Sequence, residues 1–109
     1  MKKRLFSKKP KKLNGELVYE IIKKPVGVAV SILKESELHY HKKANEWYIV
    51  LDGKAEILLN KKKLKIRKDD IVHIKPRIKH KAKRIGRKDV KILVISYPPL
   101  KKKDHILVK

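Results

Sequence analysis

His39-Tyr40-His41-Lys42-Lys43-Ala44-Asn45-Glu46-Trp47-Tyr48-Ile49-Val50-Leu51-Asp52-Gly53 is the stretch on which the fold turns. Side chains alternate faces along an extended strand, so His39 and His41 point to one side. Two imidazoles placed this way can chelate a single metal ion. Glu46 follows five residues after His41 and opens the apolar run Trp47 to Leu51. Asp52-Gly53 then ends that run with a dipeptide favoured in tight hairpin turns. By the same alternation Tyr48 shares the face of Glu46, where it either lines a pocket beside it or packs into the core. Trp47 is expected to point the other way, towards packing or a subunit contact.

The rest of the chain reads as further short strands. Leu17 to Ile22, Val26 to Leu33, Ala55 to Leu59, Ile71 to Ile74 and Val90 to Tyr97 are apolar-rich, and Leu64 and Ile66 alternate with charges. No segment sustains helical periodicity. Short strands at close, regular spacing predict an all-β sandwich or barrel without substantial helix. Lys79, Lys81 and Lys83 share one face of a strand and can be solvated together, which turns His80 and Arg84 inward. Three imidazoles and one carboxylate, from His39, His41, Glu46 and His80, make a nitrogen and oxygen site. Such a site suits Mn, Fe, Ni or Zn as a divalent ion. An inward Arg84 near its mouth either holds a carboxylate or phosphate or reaches solvent at the barrel rim.

Bulk properties narrow the function. The 109 residues fit one domain, and the absence of cysteine excludes disulfides, thiolate metal sites and cysteine nucleophiles. No apolar run approaches the ~18 residues of a membrane span. Residues 1–12 carry basic side chains and no acidic ones, with no apolar run after them. They are expected to form a mobile basic arm rather than a secretion signal, in a cytoplasmic protein. Residues 13–100 are expected to form the barrel and 101–109 a basic tail, in which Ile106 to Val108 can dock as a short strand. A net charge of +21 attracts anions, including nucleic acid bound without sequence preference. The Lys-rich, Gln-free composition suggests heat adaptation. His73 is expected to be packed or half-buried, and His105 to be solvated.

The motif carried by these residues resembles the cupin family, small single-domain cupins in particular. His39-x-His41, four residues, Glu46, six residues and Gly53 reproduce the second half of the first cupin motif, with Leu33 where an earlier glycine is usual. Asp69 to His80 resembles the second motif, with Pro76 and His80 in place. There Asp69 and Arg77 stand for its two glycines and Arg84 for its usual Asn. These replacements predict altered turns, since Asp and above all Arg tolerate positive φ poorly. The resemblance covers roughly residues 17 to 97. It implies a double-stranded β-helix, or jelly-roll barrel, in which His39, His41, Glu46 and His80 bind one divalent metal. It also implies a homodimer. The reading that follows is a metal-dependent enzyme, of isomerase or dioxygenase type, on a small anionic substrate such as a sugar phosphate, with Glu46 as a possible base and Arg84 and Tyr48 contacting substrate. The alternatives are a basic nucleic-acid-binding module on a cupin scaffold and a small-ligand sensor.

Overall fold

The computed structural model describes every residue except Met1, Leu5 and Ser7. Among the described residues the chain folds into strands β1 (Lys11–Leu13), β2 (Glu16–Ile22), β3 (Gly27–Leu33), β4 (His39–Tyr40), β5 (Asn45–Asp52) and β6 (Lys54–Leu59). They continue with β7 (Lys62–Arg67), β8 (Ile71–Ile74), β9 (His80–Arg84), β10 (Val90–Tyr97) and β11 (Ile106–Leu107). One short 3-10 turn, Lys102–Asp104, precedes β11. All pairings are antiparallel and build two sheets, β1-β2-β3-β10-β5-β8 and β11-β4-β9-β6-β7. The expected all-β jelly roll is therefore present, as a two-sheet sandwich rather than a closed barrel.

Period-two alternation decides what lies between the sheets. Val50, Ile57, Ile74, Ile92 and Ala55 point inward and are almost fully buried. Each large aliphatic among them contributes about 1.5–3 kcal/mol by leaving water. The outward positions differ sharply between the sheets. Lys63, Lys65, Lys81 and Lys83 flank Glu56 and Leu58 in register across β7, β6 and β9, and all four lysines are exposed. The other sheet turns Tyr19, Trp47, Ile49, Ile71 and Leu93 outward instead.

The turns at the second motif are kept, contrary to expectation. Asp69 adopts φ 77° and Arg77 φ 71°, the left-handed conformation that glycine takes without strain. Neighbouring hydrogen bonds hold both: Asp69 N–H donates to Val50 O at 2.9 Å, and Arg77 N–H to His41 O at 2.6 Å. Gly53 also has positive φ (88°), and a Cβ there would stand 3.1 Å from Val90 Cα. That close approach explains why the β5–β6 turn carries glycine.

The ends are more structured than an arm and a tail. β1 places Lys11 and Lys12 in the six-stranded sheet beside β2, and Phe6 packs edge-on against Tyr19. β11 pairs with β4, as the docking of Ile106 to Val108 predicts.

Candidate metal centre

His39, His41, Glu46 and His80 come together between the sheets. β4 carries His39 and delivers His41 just beyond its end, β5 carries Glu46, and β9 carries His80 directly opposite His39. All four are at most 5% exposed, and one donor atom from each lies within 4.8 Å of the others. Donors around one ion at ~2.0–2.2 Å have separations of this order.

The hydrogen bonds assign each imidazole a role. Nδ1 of His39 donates to Glu37 O (2.7 Å), Nδ1 of His41 to Asp104 O (2.7 Å) and Nδ1 of His80 to Ile78 O (2.8 Å). A carbonyl oxygen only accepts, so each Nδ1 carries the proton and each Nε2 presents a lone pair. The Nε2 atoms of His41 and His80 both stand 3.1 Å from Glu46 Oε1. His41 Nε2 is buried without a hydrogen-bond partner. Acceptors facing acceptors in a buried space require a positive charge, and a divalent ion supplies it to all four at once. The residues present therefore fit the metal.

In the metal-free site protons supply that positive charge instead. Burial, reinforced by the neighbouring His80, lowers His39 to about 3 and leaves it neutral. Burial pushes the Glu46 carboxyl up, but the imidazoles of His41 and His80 outweigh it and hold the group at about 2. His41 is also penalised by burial, yet Glu46 raises it above the usual imidazole value. The metal-free site thus draws a proton to His41, the imidazole whose Nε2 is orphaned.

His39, His41 and Glu46 line a cavity of about 110 Å³ together with Tyr48, Glu16 and His105. Tyr48 reaches it as the alternation predicts, with its ring 6.1 Å from that of His80. Burial, followed by the charges of Glu46 and Glu16, raises its phenol well above the ordinary range. Arg84 is not brought here. It sits on the expected face of β9 but at the far end of that strand, and its guanidinium pairs with Asp89. No Lys or Arg among the described residues lines the cavity.

The cupin domain family matches residues 30–96. The chain belongs to the cupin family. The uncharacterized protein MJ1618 of Methanocaldococcus jannaschii is 33% identical over 88 residues, covering 80% of this chain and 70% of that one. A protein from Planctomyces limnophilus superposes with a TM-score of 0.86 over 98% of this chain and 96% of its own, at 21% identity. Oxalate decarboxylase of Bacillus subtilis, whose Mn(II) centres have been characterised, superposes at 0.79 with 20% identity over 90% of this chain and 30% of that one.

This cupin also carries a feature that the motifs do not contain. Asp104 uses its carboxylate to accept hydrogen bonds from the backbone N–H groups of Lys42 (2.6 Å), Lys43 (3.2 Å) and Ala44 (3.1 Å). Its carbonyl is the acceptor that orients His41. His105 then stacks on His39, with centroids 4.4 Å apart and planes 9° from parallel. His105 is exposed, as expected, yet one ring face is covered by His39 and the side chain lines the cavity. Residues 104–108 form a strap across the His39–His41 strand. His73 corrects an expectation. It is exposed on the outer face, stacked on Trp47 at 4.8 Å and 2.9 Å from Asn45 Oδ1.

Proposed function

We propose that this cupin is a metal-dependent enzyme acting on a small molecule that takes the open positions of one divalent ion. The convergence of four buried acceptor atoms on one point, facing a cavity, is the observation that carries this reading. When bound, the ion supplies Lewis acidity, polarising a carbonyl or stabilising an oxyanion. His39, His41 and His80 hold neutral nitrogen donors inward, and Glu46 offsets part of the ionic charge. The depressed Glu46 carboxyl suits a ligand better than a general base, which works best with a pKa near the working pH. Tyr48 shapes the wall beside the ligands. A volume of about 110 Å³ is below that of a cavity that accepts benzene, about 150 Å³. Substrates of a few heavy atoms fit, and a sugar phosphate does not fit wholly inside. With no basic side chain in the lining, the metal is the group that attracts an anionic head.

Metal analysis of purified protein tests this reading. Wild type is expected to take up about one equivalent of Mn, Fe, Ni or Zn, and His39→Ala and His80→Ala to lose it. Wild type that holds no stoichiometric metal after reconstitution removes its basis.

A second reading rests on a different surface. The exposed Lys63, Lys65, Lys81 and Lys83 form a basic face on the five-stranded sheet that suits a phosphate backbone. Binding of duplex or RNA that weakens steeply with salt supports it, and no complex at low salt excludes it. We propose that the homodimer implied by the family uses the opposite face, which turns Tyr19, Trp47, Ile49, Ile71 and Leu93 outward. Ile71→Lys, at a position 65% exposed, is expected to turn a sedimenting dimer into a monomer.

A further inference from the structure

The cavity lining carries two groups of acidic or metal-ligating side chains. One is the cluster of imidazoles and Glu46. The other is Glu16, at the first position of β2, with Ser31 beside it on β3. Ser31 Oγ–H donates to Glu16 Oε2 at 2.8 Å and fixes the carboxyl. No hydrogen bond of Oε1 is found among the described residues. Aliphatic side chains, among them Val18, Ile92 and Val94, form the wall around these groups. Gly15, at φ 87°, makes the turn into β2, and its carbonyl accepts from the N–H groups of Lys34 and Glu35. The position of Glu16 is thereby tied to the loop after β3. Glu16 is half-buried, and its Oε1 is an acceptor open to a ligand in the cavity.

We propose that the cavity selects a short, two-ended molecule, with a carboxylate or carbonyl at the metal ligands and a hydroxyl donating to Glu16 Oε1. This rests on the metal reading above and adds the chemical class of the ligand. The volume of about 110 Å³ and the aliphatic wall limit the ligand to a short carbon chain. A phosphate at the far end is disfavoured, because Glu16 would repel it and no Lys or Arg lines the wall to balance it. Burial raises the Glu16 carboxyl above its ordinary value, against the lowering effect of Ser31.

Cobalt-loaded protein gives the test, because Co(II) absorbs in the visible and its spectrum responds to ligands. Two probes, propanoate and 3-hydroxypropanoate, share the metal-binding end and differ by the hydroxyl. Wild type is expected to bind 3-hydroxypropanoate about ten-fold tighter, the size of one hydrogen bond to a charged group. Glu16→Leu is expected to abolish the preference, and Glu16→Gln, which still offers an acceptor, to retain part of it. Ser31→Ala, which frees the carboxyl without removing it, is expected to reduce it. Equal affinities for the two acids in wild type overturn the proposal, as does a preference that survives in Glu16→Leu or binding of neither acid. Failure of wild type to acquire a cobalt spectrum overturns the metal reading itself, and is visible before any probe is added.

Discussion

Asp104 and His105 act at atomic scale on ligands more than sixty residues away. A ligand imidazole held by a carbonyl in the correct tautomer binds metal more tightly than a free one, commonly by 10–100-fold. Asp104→Ala removes the acceptor for three backbone N–H groups and loosens the carbonyl that orients His41. It is expected to weaken metal binding by about that factor, read by competition with a coloured chelator. Asp104→Asn keeps an acceptor oxygen and is expected to recover most of the loss. His105→Ala, which strips the stacked ring from His39, is expected to cost less. The carboxylate also predicts a pH dependence. Burial opposes its ionisation, but the three N–H donors prevail and hold Asp104 below 3.8. Its folded-state pKa lies below the unfolded one. Its stabilisation is therefore complete above about pH 4 and is lost as pH falls through the folded value. The difference in melting temperature between wild type and Asp104→Asn is expected to shrink over that acid window and to stay constant from pH 5 to 7.

At the scale of elements, the turns carry the strain. Arg77 holds a left-handed conformation that costs a non-glycine residue about 1–2 kcal/mol, and glycine returns part of that as unfolded-chain entropy. Arg77→Gly is expected to raise stability by up to ~1 kcal/mol, measured by urea unfolding. Gly53→Ala is expected to lower it, since the new Cβ meets the Val90 backbone at positive φ. The strands explain what the sequence made legible. Alternation alone faced His39, His41, Glu46, Tyr48 and His80 correctly, because each lies on or beside a strand with one buried face. Alternation also gave Arg84 its face but not its place along β9, and Asp89 five residues later captures it. Glu16 and Ser31 went unread because their pairing depends on the β2–β3 register. Asp104 and His105 went unread because a tertiary contact, not a local pattern, brings them in. The second-motif turns kept their shape because Val50 O and His41 O hold the N–H groups at those positions.

Over the whole molecule, +21 is a large charge for 109 residues. Like charges on the lysine face repel in the folded state, and salt screens them over about 10 Å at 0.1 M. Melting temperature is expected to rise between 20 mM and 500 mM NaCl, read by differential scanning fluorimetry. A flat response would mean that the repulsion is already balanced.

The strap sets an order of assembly. Synthesis runs from residue 39 to residue 104, so the two histidines of the first motif exist long before the carbonyl that fixes His41. His80 must also arrive and pair opposite His39. The bond that orients His41 and the pairing of His80 with His39 span distant parts of the chain, the kind of closure that forms late in folding. A nascent chain therefore offers incoming metal only a loose pair of imidazoles. The complete cluster of His39, His41, Glu46 and His80 exists only in the finished fold.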